Sequence, residues 1–176
     1  MTRLKNDCFG QWIDTTQPKK FTFEGNVIEG FDGDSVASAL LAHQVWVQSR
    51  SFKYHRPRGP LTLSGQDANT LVQSPKTPNL LADRVPVEEG LQLSGQNYSG
   101  WLGFDLSRTL DWFGRFLPVG FYYKAFFKPR GMWALWEPIV RSAAGLGTSN
   151  LSVKADYTDK AYLFCDVAVT GGGPAG

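Results

Sequence analysis

The order of elements near the start of the chain restricts its fold more than any other feature. Residues 21–24, Phe-Thr-Phe-Glu, alternate apolar and polar side chains, which is the two-residue period of a half-buried strand. Glu24-Gly25-Asn26 suits a tight turn, and residues 27–30 offer a return strand. The sequence therefore predicts a β-hairpin in this region.

A helix and a further strand are expected directly after the hairpin. Asp34 or Ser35 suits the N-cap, because its side-chain oxygen can accept a hydrogen bond from an amide of the first turn. Apolar side chains recur at the spacing of one helical face over residues 36–43, and residues 45–47, Val-Trp-Val, favour a strand. Hairpin, helix and strand in this order are typical of a β-grasp fold, as in plant-type ferredoxins. The expected fold class is α+β.

Four parts are expected along the chain. They are an N-terminal arm, a β-grasp domain, an aromatic-rich linker or docking segment, and the start of a truncated dinucleotide-binding domain, over residues 1–20, 21–95, 96–159 and 160–176. Short β-type runs at 71–73 and 84–87 are expected to complete a small mixed sheet in the β-grasp domain.

Half of the aromatic side chains lie within residues 101–136. Proline and glycine residues interrupt this segment and exclude one long helix, although residues 133–144 predict a short one. The aromatic side chains could form the core of a small subdomain or a surface that docks on another protein. We favour the docking surface, since each ring buries roughly 150–250 Å² and a chain of this size cannot bury them all.

A strand is also expected over residues 160–170, and it leads into a glycine-rich loop. The loop matches G-x-G-x-x-G, in which glycines allow a tight turn and a close approach of the backbone to a pyrophosphate. We assign dinucleotide binding to its six residues, Gly171, Gly172, Gly173, Pro174, Ala175 and Gly176. A flexible glycine tail is the alternative. The helix and the ribose-binding acidic residue that normally follow are absent from this sequence, so the loop predicts only the first strand of a truncated Rossmann-type domain.

Composition excludes several classes of protein. A net charge of +2 is too small for a nucleic-acid-binding protein. The sequence has no apolar stretch long enough to span a membrane, and its start lacks the apolar stretch of a signal peptide. Two cysteines, Cys8 and Cys165, are too few for a disulfide scaffold. A soluble, cytoplasmic protein is expected, with no nucleic-acid or membrane partner.

Polar residues provide no catalytic or metal site that we can recognise. The histidines, His43 and His55, have no partner at metal-ligand spacing, and His43 is expected to be a packed or capped residue of the helix. A basic run could bind a phosphate or could be structural, its charges paired within the same subunit, and we favour the structural role. The run consists of Arg50, Lys53, Arg56 and Arg58.

One loop resembles the cluster loop of [2Fe–2S] domains attached to amine oxidases, Arg-Gly-x-x-Cys-x-x-Gly-x-Cys-x-x-Cys-Leu-Val. The matching residues are Arg58, Gly59, Gly65, Leu71 and Val72. The three cysteine positions hold Thr62, Asp67 and Thr70 instead. Because such a cluster needs four thiolates, we expect a ferredoxin-like [2Fe–2S] domain that lacks its cluster cysteines and holds no iron–sulfur cluster.

Several stretches together resemble the N-terminal part of the alpha subunit of heterotetrameric sarcosine oxidase. They are Gly33–Ala42, Ser51–Gly59, Gly120–Lys124, Trp136-Glu137, Arg141–Gly147 and Cys165–Val167 with its glycine loop. The resemblance covers roughly residues 20–176, and several of its motifs are nine or ten residues long.

The resemblance implies a complex that oxidatively demethylates sarcosine to glycine, with peroxide and a formaldehyde equivalent passed to tetrahydrofolate. It also implies NAD in the full-length alpha subunit, FAD and FMN in the complex, and beta, gamma and delta subunits as partners. For this chain it implies a non-catalytic N-terminal fragment that acts as a scaffold or interface. The alternatives are a stand-alone interaction module for a flavoprotein and a subunit of a related opine or amine oxidase.

Overall fold

The computed structural model of the chain describes residues 3, 12–51, 54–106, 108–109, 112, 120, 130–143, 151–154 and 157–168. The described strands are β1 Asp14–Phe23, β2 Asn26–Asp32, β3 Ser49–Arg50, β4 Pro57–Arg58, β5 Leu71–Gln73, β6 Leu80–Leu81, β7 Gln92–Gly95, β8 Gly100–Trp101 and β9 Phe104–Asp105. The described helices are α1 Val36–Ala42, a 3-10 turn η1 Ala68–Thr70, and α2 Trp133–Ala143.

Five of the strands form one mixed sheet in the order β2-β1-β7-β5-β6. Strands β1 and β2 are the predicted hairpin, with Phe21 opposite Ile28 and Phe23 opposite Asn26. Strand β7 runs parallel to β1 and antiparallel to β5, which also pairs with β6. Helix α1 follows directly after the hairpin, and the later strand β7 lies beside β1 in the sheet. This order confirms the predicted α+β arrangement of this part of the chain.

Helix α1 packs on one face of this sheet and forms the core with it. Alternate residues of the hairpin, Phe21, Phe23 and Ile28, are buried, as their two-residue period requires. Four α1 residues are fully buried beside them: Val36, Ala37, Ala39 and Leu40. The apolar periodicities of strand and helix therefore locate most of this core correctly.

Ser35 and His43 are the residues that cap the two ends of α1. Ser35 is the N-cap, and its Oγ accepts a hydrogen bond from the Ser38 amide at 3.2 Å. His43 is the C-cap, and its Nε2 lies 2.8 Å from the Glu29 carbonyl oxygen. Of the two predicted candidates, Asp34 and Ser35, the N-cap is thus Ser35, while the His43 ring connects the end of the helix to β2.

The structure corrects the predicted start of the sheet. The N-terminal arm was expected to extend over residues 1–20, but β1 begins at Asp14 and pairs with β2, so the sheet starts within it. Its side chains from Thr15 to Pro18 are exposed, so this half of the strand shows no apolar alternation. Pairing of Asp14 with Asp32 and of Pro18 with Phe31, on either side of a register shift, defines this part of the strand rather than burial.

Three other predicted strands differ from the observed structure. Residues 45–47 form no strand, since the Val45 amide bonds back to Leu40 at 2.9 Å and β3 starts only at Ser49. Residues 84–87 form no strand either, since only Pro86 pairs, through an isolated bridge to Ser35. Conversely, the observed strand β7 was not predicted. Residues 160–168 form no strand, and their side chains are exposed. A strand exists only where a neighbour pairs with it, and apolar composition alone does not supply that neighbour.

The predicted helix near residue 133 is confirmed as α2. It spans Trp133–Ala143 with Pro138 inside it, and Arg141 Nε donates to Glu137 Oε1 at 2.7 Å one turn earlier. Most of the aromatic-rich segment around it lies outside the described residues, as does the loop of residues 171–176.

Replacing Leu40 with alanine should destabilise the domain strongly. Its side chain is fully buried between α1 and the sheet, so the cavity and lost burial should cost about 2–5 kcal/mol of unfolding free energy. The neighbouring Leu41→Ala is the matched control, because Leu41 is only partly buried. Urea denaturation followed by tryptophan fluorescence measures both. Equal losses for the two variants would contradict this packing.

Candidate functional site

The loop from Gly59 to Thr70 is organised around the carboxylate of Asp67. One oxygen, Oδ2, accepts hydrogen bonds from the backbone amides of Leu61 and Thr62, the second at 3.2 Å. The other oxygen, Oδ1, accepts from the Asn69 amide at 3.0 Å and from Asn69 Nδ2 at 3.1 Å. Asp67 is only 6% exposed, so protein donors replace most of the water around its charge.

A second carboxylate, that of Asp83, holds the loop against the end of β6. Its Oδ2 accepts from the Asp67 amide at 3.1 Å, and its Oδ1 accepts from Thr70 Oγ1 at 3.3 Å. Thr70 Oγ1 lies 2.8 Å from the Asp67 carbonyl oxygen, and the Ala82 amide donates to the Thr70 carbonyl at 3.0 Å. The loop is therefore closed by protein hydrogen bonds on both sides.

The surroundings of Asp67 favour its charged form. Burial raises the pKa of this carboxyl, but the donors on Leu61, Asn69 and Thr62 together lower it more, and the net pKa lies below the ordinary 3.8. The side chain is therefore an anion near neutral pH. An anion is what several converging N–H groups stabilise best.

The fold brings together the three positions that carry cysteines in the resembling cluster loop. Asp67 receives a hydrogen bond from the Thr62 amide, and its own carbonyl accepts one from Thr70 Oγ1. Two hydroxyls and a hydrogen-bonded carboxylate do not supply the four thiolates that a [2Fe–2S] cluster requires. Cys165 is exposed, and Cys8 lies outside the described residues. The residues of this loop do not fit the cluster.

Within the described ranges, no group of three or more His, Cys, Asp or Glu residues is arranged to hold a metal ion.

Among the described helices, none is both long and apolar enough to cross a membrane.

Arg50 of the basic run has a structural role. The residue is 7% exposed, and its guanidinium donates to three backbone carbonyls. Its Nε and Nη2 reach Leu102 at 3.0 and 2.7 Å, Nη2 reaches Gly103 at 3.1 Å, and Nη1 reaches His55 at 3.1 Å. The fork is engaged by carbonyl acceptors rather than directed at solvent, which favours the structural interpretation for this residue.

The other described members of the basic run lie at the surface. The Arg56 guanidinium lies 4.7 Å from the ring centroid of Tyr54, and Arg58 Nη1 donates to Asn69 Oδ1 at 2.8 Å. Arg58 thereby connects the run to the Asp67 loop, because Asn69 also donates to Asp67. Lys53 lies outside the described residues.

His55 fixes the hairpin formed by β8 and β9. Its Nδ1 lies 2.7 Å from Asp105 Oδ2, and both side chains are buried. Asp105 Oδ1 also accepts from the Ser99 amide at 2.9 Å. His55 has a φ of 51°, a left-handed conformation that non-glycine residues seldom adopt, so packing and the bond to Asp105 must hold it there.

The hairpin held in this way presents aromatic side chains to solvent. Trp101 and Phe104 are 65% and 57% exposed, and their ring centroids lie 5.4 Å apart. Leu106, directly after β9, is also exposed. These three residues, which we call the aromatic hairpin surface, are a described part of the predicted docking segment.

The sequence indicated only part of this site. Asp67 and Thr70 were noticed as replacements for cysteines, but Asp83 and Asp105 were not anticipated. Their partners lie 16 and 50 residues away along the chain, so no local pattern reveals them. The loop Gly171–Gly176, predicted to bind a dinucleotide, lies outside the described residues, and its role stays a prediction.

Replacing Arg50 with lysine should loosen the hairpin. An ammonium cannot span the Leu102, Gly103 and His55 carbonyls at once, and buried acceptors left unpaired should cost about 2 kcal/mol of unfolding free energy. Arg56→Lys is the control, since a surface change of this kind stays within about 0.5 kcal/mol. Urea denaturation compares the two variants, and an Arg50→Lys protein as stable as Arg56→Lys would refute the role.

The hydrogen bonds to Asp67 should respond to acid. Its folded pKa is lowered, so the stabilisation is complete above the ordinary value of 3.8 and is lost as the pH falls through the lower folded pKa. NMR titration of the Leu61, Thr62 and Asn69 amides should show a shared transition below pH 3.8. A midpoint above that value would contradict an amide-stabilised anion.

Comparisons with known proteins match the part of the chain that contains this loop. A 2Fe-2S iron-sulfur cluster binding domain matches residues 16–98, which together with the mixed sheet confirms a ferredoxin-like α+β fold. The crystal structure of L-proline dehydrogenase from P. horikoshii matches this chain with 24% sequence identity and a TM-score of 0.41. The match covers 49% of this chain and 17% of that one.

A relative in sequence covers far more of the chain. The sarcosine oxidase subunit alpha of Rhizobium meliloti (strain 1021) is 41% identical over 169 residues, which are 93% of this chain and 17% of that protein. The chain thus spans about a sixth of the length of the relative that it matches. The expected resemblance to the N-terminal part of a sarcosine oxidase alpha subunit is therefore confirmed.

Proposed function

We propose that this chain forms the N-terminal segment of the alpha subunit of a sarcosine oxidase and acts there as a scaffold without catalytic residues. The observation that carries the proposal is the Asp67 loop. Residues at the cluster-ligand positions of a [2Fe–2S]-type domain are engaged in protein hydrogen bonds instead. A domain of this type without a cluster cannot transfer electrons through one. What it contributes to the subunit is therefore its fold.

The full complex, in this proposal, oxidatively demethylates sarcosine to glycine and delivers the one-carbon unit to tetrahydrofolate, with peroxide as the other product. Beta, gamma and delta subunits are the proposed partners, with FAD and FMN in the complex and NAD in the full-length alpha subunit. Gly171–Gly176 is the proposed first loop of the NAD domain. The name of the 41% identical relative and its designation as subunit alpha support this assignment. A cytoplasmic location goes with it, since two cysteines are too few for a secreted disulfide scaffold.

The scaffold contributes a docking surface in this proposal. Residues 96–159 form the aromatic-rich linker, and the aromatic hairpin surface is its described edge. Arg50 and His55 hold the hairpin through their bonds to Leu102 and Asp105. In this proposal those bonds keep Trp101 and Phe104 in one arrangement. Aromatic side chains held in advance lose little conformational entropy on binding, which is why they are common anchors of protein interfaces.

A stand-alone interaction module for a flavoprotein is the second candidate. Exposure of Trp101, Phe104 and Leu106 favours it equally, because such a module needs an apolar surface and no catalytic residue. The two candidates differ in whether oxidase activity depends on the segment. Only the scaffold proposal requires that disrupting it reduces sarcosine-dependent peroxide formation.

Substitution of the aromatic hairpin surface tests the proposal in an alpha subunit that carries this chain, co-expressed with its partner subunits. Trp101→Ala with Phe104→Ala should weaken co-purification of the partners by about 10-fold or more and should reduce sarcosine-dependent peroxide formation in parallel. Trp46→Ala is the matched control, because Trp46 is 68% exposed and lies outside the hairpin.

Two outcomes separate the candidates. Loss of assembly together with peroxide formation supports a scaffold within the oxidase. Unchanged peroxide formation after deletion of residues 1–159 from that alpha subunit would overturn the scaffold and leave the interaction module.

A further inference from the structure

We infer that the Asp67 carboxylate is an internal anion that occupies an anion-binding nest in the loop of residues 59–70, at a position that carries a ligand cysteine in cluster-binding loops. The carboxylate takes over the organising role that a bound cluster has in such a domain. The inference concerns this chain's own fold and does not rest on the proposed oxidase function.

The donors around Asp67 converge from both sides of the residue. Leu61 and Thr62 precede it by six and five positions, and Asn69 follows it by two. Backbone amides that converge on one point form a concave positive site, or nest, that binds anions. Each carboxylate oxygen accepts two of the four hydrogen bonds, so both oxygens are needed.

An ordinary turn-capping role explains only half of this geometry. Asp67 is the N-cap of η1 and accepts from the Asn69 amide, as an aspartate at the start of any such turn does. A cap has no need to reach Leu61 and Thr62 on the far side of the loop. Those two bonds tie the first part of the loop to the turn, and they distinguish an organising anion from a cap.

The electrostatic requirement of the loop resembles that of a cluster-binding loop. Thiolate-bound clusters are tuned by hydrogen bonds to their sulfur atoms, so a loop of this type presents donors to an anionic group. In this chain the cysteine positions hold Thr62, Asp67 and Thr70, and the carboxylate is the anion that the donors meet. The Asp83 carboxylate then completes the site, because it accepts hydrogen bonds from the Asp67 amide and from the Thr70 hydroxyl.

Two substitutions separate the organising anion from the cap. Asp67→Ser retains a good N-cap but is too short to reach the Leu61 and Thr62 amides. Asp67→Asn retains the size but loses the charge and one acceptor oxygen. In both variants, hydrogen exchange at Leu61 and Thr62 should accelerate by about 10-fold or more, and in the serine variant the Asn69 amide should stay largely protected.

Asp14→Asn provides the matched control. Asp14 also accepts from the amide two residues later and from nearby side chains, at Thr16 and Gln17, but it is only half-buried and lies at the start of β1, away from the loop. Its substitution should leave the exchange rates at Leu61 and Thr62 at their wild-type values. Wild-type exchange rates at these two amides in both Asp67 variants would overturn the inference.

Removing the side chain provides a second, independent test. Asp67→Ala should melt about 5 °C or more below the wild-type chain, and added formate should restore part of that loss by entering the vacated nest. The same formate concentration should leave the melting temperatures of wild type and Asp14→Asn unchanged. A similar effect of formate on all three proteins, or none on Asp67→Ala, counts against a nest.

Reconstitution of the wild-type chain addresses the cluster directly. Anaerobic incubation with ferrous iron and sulfide should leave the visible spectrum free of [2Fe–2S] absorption, because the loop holds a carboxylate and hydroxyls where thiolates are required. Stoichiometric cluster formation that is lost in Asp67→Ala would show that this loop binds iron, and would overturn the inference.

Discussion

Helix α1 approaches the sheet so closely at Gly30 that a Cβ atom there would lie 3.1 Å from both Ala39 and Val87. This approach lets small side chains on α1 cover the hairpin and bury its phenylalanines, which supplies much of the apolar burial of the domain. The Ala37 amide also donates to the Ala82 carbonyl at 2.8 Å. The position of α1 thus determines where the segment after β6 lies, and with it Asp83 and the loop around Asp67.

Polar groups then fix the parts of the domain that the apolar core does not reach. Asp67 and Asp83 organise one long loop, while Arg50 and the pair His55–Asp105 organise another. In each case a buried charge faces several backbone donors or acceptors. Such networks stabilise when they are fully satisfied and are costly when a member is lost, so they define these loops more strictly than apolar contacts alone would.

Local sequence patterns predicted the parts of the fold that depend on nearest neighbours. The hairpin, helix α1 with its caps, and helix α2 follow from periodicity and capping over a few residues. Strand β7 was missed, because its partners, β1 and β5, are distant in sequence and its own run, Gln92–Gly95, has little apolar content. The loop at Asp67 was located by the pattern of its missing cysteines, but its network depends on Asp83, which only the folded chain brings close.

The two polar networks act on different aspects of the proposed scaffold. The Asp67 network holds one loop through hydrogen bonds between protein groups. The Arg50 network holds the β8–β9 hairpin, whose outward side carries Trp101 and Phe104. The two carbonyls that accept from Arg50 here, those of Leu102 and Gly103, lie directly between these two aromatic residues in sequence. The same short segment, residues 101–104, therefore both binds the Arg50 guanidinium and exposes the two aromatic rings.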